Sequence, residues 1–344
     1  MLTMNDALAL VESPAQLINA AEWAAASDAD VRLVTLGPEP ARTRFQMHRV
    51  AEICTGAGFD HCWAEVRGPL PTRTVDLART AARVQAASTL VIGDPYSGII
   101  QMLLAMRSRA PRIVVVDDGT ATLRYAEQWA FGDRLQRWHL TEQPRAARLL
   151  APRVAPWLGR RSPHVELFSA MPLTGERPPA RRCTYAWTRE HFGPPEILDT
   201  VDLMGSSLVE TGVVQEERYL AGVQRLVAEY GVGRYLPHRA EAAAKVAAIA
   251  EMGVEIVRPE LPMEWHACRG PIGRHILSFP STVVHTLPLV LAGTGIEVTA
   301  IDVADEWFVT DDASARGFVA GINKNPQDAV AESSSQEAGF SVVR

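Results

Sequence analysis

The stretch that most constrains the fold is a run of β-branched residues that ends in two acids and a glycine, Ile113-Val114-Val115-Val116-Asp117-Asp118-Gly119. An apolar run without polar alternation is typical of a parallel strand that helices cover on both faces. In a parallel α/β sheet the carboxyl ends of the strands line the ligand crevice. We therefore interpret Asp117 and Asp118 as candidate site residues, and Gly119 as the residue that lets the chain turn sharply after them.

The chain before and around this strand alternates short apolar runs with helical patterns. The first run, residues 7–11, precedes Ser13-Pro14-Ala15-Gln16, in which Ser13 suits the N-cap, Pro14 the first helical position and Gln16 the capping box. Further strand patterns cover residues 31–36, 61–66, 89–93 and 113–116. Five such βα units within about 130 residues predict a Rossmann-like parallel sheet.

A second α/β series begins near residue 197, after a segment rich in proline and arginine. Its strand patterns cover residues 197–204, 234–236, 254–257, 275–279 and 296–301, and its clearest helices cover 215–230 and 239–251. The sequence therefore predicts an N-terminal Rossmann-like domain (1–155), an interdomain linker (156–190), a C-terminal Rossmann-like domain (191–323) and a mobile polar tail (324–344).

The composition is that of an ordinary globular protein, and it argues against several classes of function. The 344 residues are 47% hydrophobic and carry a net charge of −6, which disfavours nucleic-acid binding through phosphate contacts. Four cysteines without a C-x-x-C pair indicate a reducing compartment, and His266 with Cys268 is too sparse a pair for a metal site.

The sequence shows neither a leader pattern nor a membrane-spanning segment. No basic region precedes the first apolar run, and the longest apolar run, residues 283–292, is too short to cross a bilayer. We expect a cytoplasmic protein, with peripheral contact at the inner face of the membrane allowed. There is also no G-x-G-x-x-G after the first strand, no P-loop and no G-x-S-x-G elbow, which disfavours NAD binding and serine hydrolysis.

Four predicted strand ends carry residues that suit chemistry, namely Glu12-Ser13-Pro14, Asp117-Asp118-Gly119, Pro237-His238-Arg239 and Pro280-Ser281-Thr282. A helix that begins at Ser281 and Thr282 offers N–H groups and hydroxyls to a phosphate. His238 can bond a phosphate or a ribose, and an acid can accept a proton from an attacking hydroxyl. Each motif alone is also explained as a cap or a turn. Their common position favours a transfer reaction whose leaving group is a nucleotide phosphate.

Together these motifs resemble those of the bacterial sialyltransferases of glycosyltransferase family 52 and the related families 38 and 80. Those families share an acidic-acidic-Gly motif, a His motif and a Ser-Ser or Ser-Thr motif, matched here by Asp117-Asp118-Gly119, by His238 within residues 235–241 and by Ser281-Thr282. Residues 12–19 and 204–210 are also similar to stretches of family 52, and the resemblance covers most of residues 7–305. The chain departs from the family at Pro237, because the family's histidine is followed rather than preceded by proline.

The resemblance implies a GT-B fold, in which two Rossmann-like α/β domains face a central cleft, and a metal-independent inverting transfer without a cofactor. The donor would be CMP-sialic acid or another CMP-nonulosonate, and the acceptor a glycan or glycolipid hydroxyl. Asp117 would be the general base, with Asp118 as the alternative or a supporting residue. His238 would bind or protonate the CMP phosphate, which Ser281 and Thr282 would hold. The other donor-binding residues that the motifs imply are Ser13, Gly119, Gly205, Ser206, Pro237, Arg239 and Glu241.

Two other interpretations remain open at the level of the sequence. The same architecture can serve a transferase that uses a UDP- or GDP-sugar, and it can serve a nucleotide-binding protein without activity. The acceptor, the linkage and the oligomeric state are left undetermined, and a homodimer is allowed.

Overall fold

The computed structural model describes residues 7–107, 111–132, 135, 145–160 and 162–309. These residues form two compact α/β units. The first comprises the chain up to His191 together with Glu260–Pro262, and the second comprises Phe192–Pro259 and the chain from Met263 onward. Each unit contains one parallel sheet, and the prediction of an α/β protein with two Rossmann-like sheets is confirmed.

The N-terminal unit contains a seven-stranded parallel sheet in the order β3-β2-β1-β4-β5-β6-β7. Its strands are β1 (Ala7–Val11), β2 (Val31–Leu36), β3 (Asp60–Ala64), β4 (Thr89–Ile92), β5 (Arg112–Val116), β6 (Val165–Ser169) and β7 (Ala180–Arg182). Its helices are α1 (Pro14–Ser27), α2 (Ala41–Gly56), α3 (Leu70–Ala86), α4 (Gly98–Ala105), α5 (Thr120–Phe131), α6 (Arg145–Leu158) and α7 (Ala186–Phe192). The strand order reverses between β1 and β4, and such a switch point is where parallel sheets bind ligands.

The sequence patterns that predicted β5 and α1 correspond to real contacts. Residues 113–116 of β5 are completely buried, as expected for a strand with helices on both faces. At the start of α1 the Gln16 N–H donates to Ser13 Oγ at 3.3 Å, and the Glu12 N–H donates to Gln16 Oε1 at 2.7 Å. The first is the N-cap bond that the sequence predicts, whereas the Gln16 side chain bonds the N–H of Glu12, one residue before the N-cap, instead of the N–H of Ser13 that a strict capping box uses.

Residues 156–190 are not a linker, and this expectation is wrong. Within them β6 pairs in parallel with β5, from Ile113 opposite Val165 to Val116 opposite Phe168, and β7 pairs with β6. Helix α6 continues through Pro152 and Pro156, which had suggested a break. Burial of apolar residues such as Leu167, in β6 between β5 and β7, outweighs the local turn signals of the prolines. The predicted mobile tail, residues 324–344, lies outside the described residues.

The C-terminal unit contains a five-stranded parallel sheet in the order β10-β9-β8-β11-β12. Its strands are β8 (Ile197–Met204), β9 (Val232–Leu236), β10 (Glu255–Ile256), β11 (Ile272–Ser278) and β12 (Glu297–Ala300). Its helices are α8 (Glu216–Tyr230), α9 (Ala243–Ala250), α10 (Met263–Arg269) and α11 (Val283–Val290), followed by a 3-10 turn at Asp305–Trp307. The order reverses between β8 and β11, and the core on one face contains the buried aromatic residues Tyr219, Phe279 and Trp307.

Two further observations concern the predictions about compartment and membrane. Over the described residues, no helix combines the length and the apolar character that crossing a membrane requires. The cysteines at positions 54, 62, 183 and 268 are all free thiols.

Candidate functional site

The N-terminal unit brings Ser13 and Asp118 into direct contact at the carboxyl edge of its sheet. Ser13 follows β1 and Asp118 follows β5, and these strands flank β4. Ser13 Oγ donates to Asp118 Oδ1 at 3.0 Å. Both residues are half-buried, so that this pair of side chains lies at the surface of the switch point.

Asp117 points in a different direction, into the interior of the N-terminal unit. It is 2% exposed, its Oδ1 accepts from Ser169 Oγ at 2.6 Å, and its Oδ2 accepts from the Ala170 N–H at 2.5 Å. Its backbone carbonyl accepts from Asn19 Nδ2 at 3.1 Å. Asp117 therefore ties the end of β5 to the end of β6 and to α1.

A tight turn at Gly119 follows the two acids. Gly119 has φ 64° and ψ −135°, a conformation in which a residue with a Cβ is strained. The Asp118 N–H donates to Thr122 Oγ1 at 3.1 Å, which closes the chain into α5. The backbone conformation therefore requires the glycine of the motif. Of the two acids before it, Asp117 faces the interior and Asp118 the surface.

This geometry bears on which acid can act as a base. The resemblance implies Asp117, but both of its carboxylate oxygens accept hydrogen bonds inside the unit. Asp118 is more exposed and contacts another polar strand-end residue, Ser13. A general base must reach the proton that it abstracts, and the geometry therefore favours Asp118. The roles of both acids stay predictions.

Burial has a measurable consequence for Asp117. It raises the pKa of the carboxyl from 3.8 to about 6, against the opposing hydrogen bonds from Ser169, Ala170 and Thr122 and the charge of Arg182. The folded state therefore holds this proton to a higher pH than the unfolded state does.

We expect Asp117 to make the protein less stable as the pH rises. Its contribution to the free energy of unfolding should be fully present below about pH 4 and lost as the pH rises through about 6, because the unfolded chain loses the proton first. A pKa difference of this size corresponds to roughly 3 kcal/mol. Urea unfolding between pH 4 and 7 measures the free energy of unfolding of the wild type and of Asp117→Asn. The difference between the two proteins should change with pH.

A matched variant sharpens this measurement. Ser169→Ala removes a hydrogen bond that stabilises the charged carboxylate, so the loss of stability should extend to a higher pH in this variant. A difference between wild type and Asp117→Asn that is the same at every pH contradicts the assignment.

In the C-terminal unit three predicted motifs follow three neighbouring strands. Gly205 and Ser206 follow β8, Pro237 and His238 follow β9, and Ser281 lies in the connection from β11 to α11. Because β9, β8 and β11 are adjacent and parallel, these loops lie along one edge of the sheet. This edge includes the switch point, where nucleotides bind in sheets of this kind.

Gly205 allows the β8 loop to approach the β9 loop closely. A Cβ on Gly205 would lie 2.0 Å from Glu241 Oε1 and 2.5 Å from the Tyr235 hydroxyl. Glu241 Oε1 accepts from the His238 N–H at 2.6 Å, and Oε2 accepts from the Tyr235 hydroxyl at 2.7 Å. Burial raises the pKa of Glu241, although Lys245 and these hydrogen bonds oppose the rise. Glu241 therefore holds the backbone of His238.

Ser206 and Pro237 are also buried, and the polar groups of Ser206 are occupied within the unit. The Ser206 N–H donates to the Tyr219 hydroxyl at 3.1 Å, and Ser206 Oγ accepts from the Leu208 N–H at 3.2 Å. Together with Gly205 and Glu241, these residues shape the loops. Their predicted contact with a donor stays a prediction.

His238, Arg239, Ser281 and Thr282 are the more accessible predicted residues of this edge. His238 Nδ1 accepts from the Ala240 N–H at 3.2 Å, so that the neutral ring carries its proton on Nε2. Ser281 Oγ lies 3.3 Å from Ser278 Oγ, and Thr282 is the N-cap residue of α11 without a side-chain capping bond. Hydroxyl, imidazole and guanidinium groups are the kinds of group that bind phosphate oxygens.

Sequence reasoning missed the residues that support both clusters. Asn19, Ser169 and Tyr235 are buried and orient the strand-end residues. Lys245 is completely buried and lies four residues after Glu241. That i, i+4 spacing of opposite charges was the available signal, but it commonly marks an exposed helix face. Of the residues that the structure describes, no group of three or more His, Cys, Asp or Glu side chains could hold a metal ion.

The fold and these strand ends define a two-domain parallel α/β protein with a polar cluster at the carboxyl edge of each sheet. No protein-family model matches the chain, and no curated protein matches it.

Solved structures with a similar fold are found at low identity. They include the E. coli heptosyltransferase WaaC with ADP (12% identity, TM-score 0.36, covering 96% of this chain and 97% of that one). A putative UDP-N-acetylglucosamine 2-epimerase from Listeria monocytogenes has 11% identity and a TM-score of 0.48, covering 85% of this chain and 78% of that one. A family 9 glycosyl transferase from Veillonella parvula has 8% identity and a TM-score of 0.39, covering 96% of each chain.

Proposed function

We propose that this protein is an inverting glycosyltransferase that transfers sialic acid or a related nonulosonic acid from a CMP-activated donor to a glycan or glycolipid hydroxyl. The GT-B arrangement that the resemblance implies belongs to this proposal, as do the absence of a metal requirement and a cytoplasmic location, with peripheral contact at the inner face of the membrane allowed. The solved structures of similar fold include a heptosyltransferase and a family 9 glycosyl transferase.

One observation carries the proposal. The β8, β9 and β11 loops, which contain the family-like His and Ser-Thr motifs, follow three adjacent parallel strands on both sides of a switch point. The motifs are far apart in the sequence, at residues 205, 238 and 281, and each follows a different strand of the same sheet. Their common position at the carboxyl edge, where parallel sheets of this kind bind ligands, supports a nucleotide donor.

The proposed division of roles follows the chemistry of the exposed groups. In the C-terminal unit, His238 would donate from Nε2 to the donor phosphate, and the hydroxyls of Ser281 and Thr282 would bond other phosphate oxygens. A 2-keto sugar ionises readily toward an oxocarbenium ion, so stabilising the leaving phosphate is the main requirement. In the N-terminal unit, Asp118 would accept the proton of the acceptor hydroxyl, and Ser13 would orient its carboxylate.

We expect CMP to raise the unfolding temperature of the protein more than UDP, GDP or ADP at the same concentration. A ligand that binds only the folded state stabilises it by about 2.7 kcal/mol at one hundred times its Kd. A thermal-shift titration with the four nucleotides measures this preference. ADP belongs in the panel because the E. coli heptosyltransferase was solved with it.

The result also separates the proposal from its alternatives. A larger shift with UDP, GDP or ADP indicates a transferase with another donor and contradicts the CMP assignment. Incubation with CMP-sialic acid and a panel of glycan and lipid acceptors, followed by mass spectrometry, then tests transfer. Binding of CMP without any transfer or donor hydrolysis indicates a nucleotide-binding protein that is not an enzyme.

A further inference from the structure

Lys245, on α9, is a buried cation at the base of two of the loops described above. Its side chain is completely buried. Lys245 Nζ lies 3.0 Å from the Ser206 carbonyl oxygen, 3.1 Å from Glu210 Oε2 and 3.3 Å from Glu241 Oε2, and 4.4 Å from the centroid of the Tyr219 ring. An ammonium has three hydrogens to donate, and three oxygens surround this one.

The partners of Lys245 belong to different loops. Ser206 and Glu210 follow β8, whereas Glu241 follows β9 and accepts the His238 N–H. Glu210 also reaches the β9 side, because its Oε1 accepts from the Ala242 N–H at 2.9 Å. A single ammonium thus connects the two loops through direct hydrogen bonds and ion pairs.

Burying the Lys245 ammonium costs free energy of folding, and an uncharged side chain could fill the same space. Burying a charged group is costly even when it is paired, and replacing buried ion networks by apolar residues of similar volume is often neutral or stabilising. What the ammonium provides here is a fixed orientation of the polar groups that it contacts. It donates to the Ser206 carbonyl and pairs with Glu241, the carboxylate that accepts from the His238 N–H.

We propose that Lys245 is a positioning residue for the donor nucleotide, which holds the β8 and β9 loops together so that His238 meets the donor phosphate. This inference rests on the proposed function, because it takes His238 as a phosphate ligand. It assigns to a buried residue, which itself touches no substrate, a role in the affinity for CMP.

The test compares CMP binding by calorimetry in the wild type, Lys245→Met and Lys245→Arg. We expect Lys245→Met to weaken CMP binding about tenfold, which is the contribution of one hydrogen bond to a charged group. Lys245→Arg should recover part of this loss, because it retains the charge. Val246→Ala, a change at the next buried position of α9, should lower the unfolding temperature without changing the affinity for CMP.

A second variant guards against misfolding of Lys245→Met. The double variant Lys245→Met/Glu241→Gln removes one positive and one negative charge together, so that no completely buried charge is left unpaired and only the partly exposed Glu210 loses its ion pair. It should show the same loss of affinity. Wild-type affinity in the double variant, or an equal loss in Val246→Ala, would overturn the proposal.

Hydrogen exchange distinguishes failure of this inference from failure of the proposed function. Lys245→Met should speed amide exchange in peptides that cover residues 205–208 and 237–241, and Val246→Ala should not. If the wild type binds no CMP but this exchange changes, the proposed function fails and the positioning of the loops stands. If the exchange does not change, Lys245 does not position the loops, whatever the affinity for CMP.

Discussion

Replacing Asp118 by asparagine is expected to lower kcat for sugar transfer by about 10²- to 10⁴-fold, the contribution that a positioned general base usually makes. The amide keeps the shape of the side chain, and its oxygen can still accept from Ser13 Oγ, which bonds Asp118 at 3.0 Å. It cannot accept a proton from the acceptor hydroxyl. The affinity for CMP and the unfolding temperature should therefore stay close to those of the wild type, and calorimetry and thermal unfolding measure both.

Asp117→Asn is the matched control, because it makes the same chemical change one residue earlier. Asp117 accepts from both Ser169 Oγ and the Ala170 N–H. An amide has only one oxygen, so one of these donors loses its acceptor, at a cost of about 1–3 kcal/mol in stability; near neutral pH the removal of the buried charge offsets part of this cost. We expect Asp117→Asn to act on stability more than on turnover, when both are assayed well below the unfolding temperature.

The pair of variants also distinguishes the two assignments of the base. The resemblance to the sialyltransferases implies Asp117, and the side-chain geometry favours Asp118. Loss of turnover in Asp117→Asn without loss of stability, together with near-wild-type turnover in Asp118→Asn, shows that Asp118 is not the base.

Replacing His238 by alanine is expected to weaken CMP binding by about 10- to 100-fold, because a hydrogen bond to a charged group contributes roughly 1.5–3 kcal/mol. The backbone bond from the His238 N–H to Glu241 Oε1 does not depend on the side chain, and the loop should keep its conformation. Calorimetric titration of the wild type and the variant with CMP measures the effect.

Titration with cytidine, which lacks the phosphate, shows which part of CMP the His238 side chain contacts. If His238 bonds the phosphate, His238→Ala should leave the affinity for cytidine unchanged while the affinity for CMP falls. An equal loss for both ligands places the imidazole at the nucleoside and contradicts the phosphate role. His275→Ala controls for removal of an imidazole from the same unit, because His275 lies within β11 and bonds Thr299.

Local patterns predicted the elements whose neighbours along the chain decide their conformation. The β-branched run at residues 113–116 has few alternatives to a buried strand, and Ser13 with Gln16 forms its cap from residues three positions apart. The motif residues lie at strand ends for the same reason, because a run of apolar residues shows where a strand stops. The assignment of the motif residues to one edge of each sheet was therefore predictable.

Patterns failed where contacts distant in sequence override local preferences. The prolines at positions 152 and 156 favoured a break, but α6 continues through them and β6 pairs with β5. The strand signal at residues 165–169 was visible in the sequence. What could not be seen is that its partner lies some fifty residues earlier, and the pairing places the segment inside the N-terminal unit rather than between domains.

The sequence by itself determined the α/β class, the two Rossmann-like series and the loops that carry the candidate chemistry, because these follow from periodicity and capping over a few residues. Only the tertiary structure decided which side chains of those loops face inward. Asp117 and Asp118 are adjacent and chemically identical, yet only Asp117 is buried and accepts from Ser169, at the end of β6, and from Ala170, which follows that strand. Lys245 likewise acquires its three oxygen partners only when β8, β9 and α9 pack together. Burial and hydrogen-bond partners are set by long-range packing, which no local pattern contains.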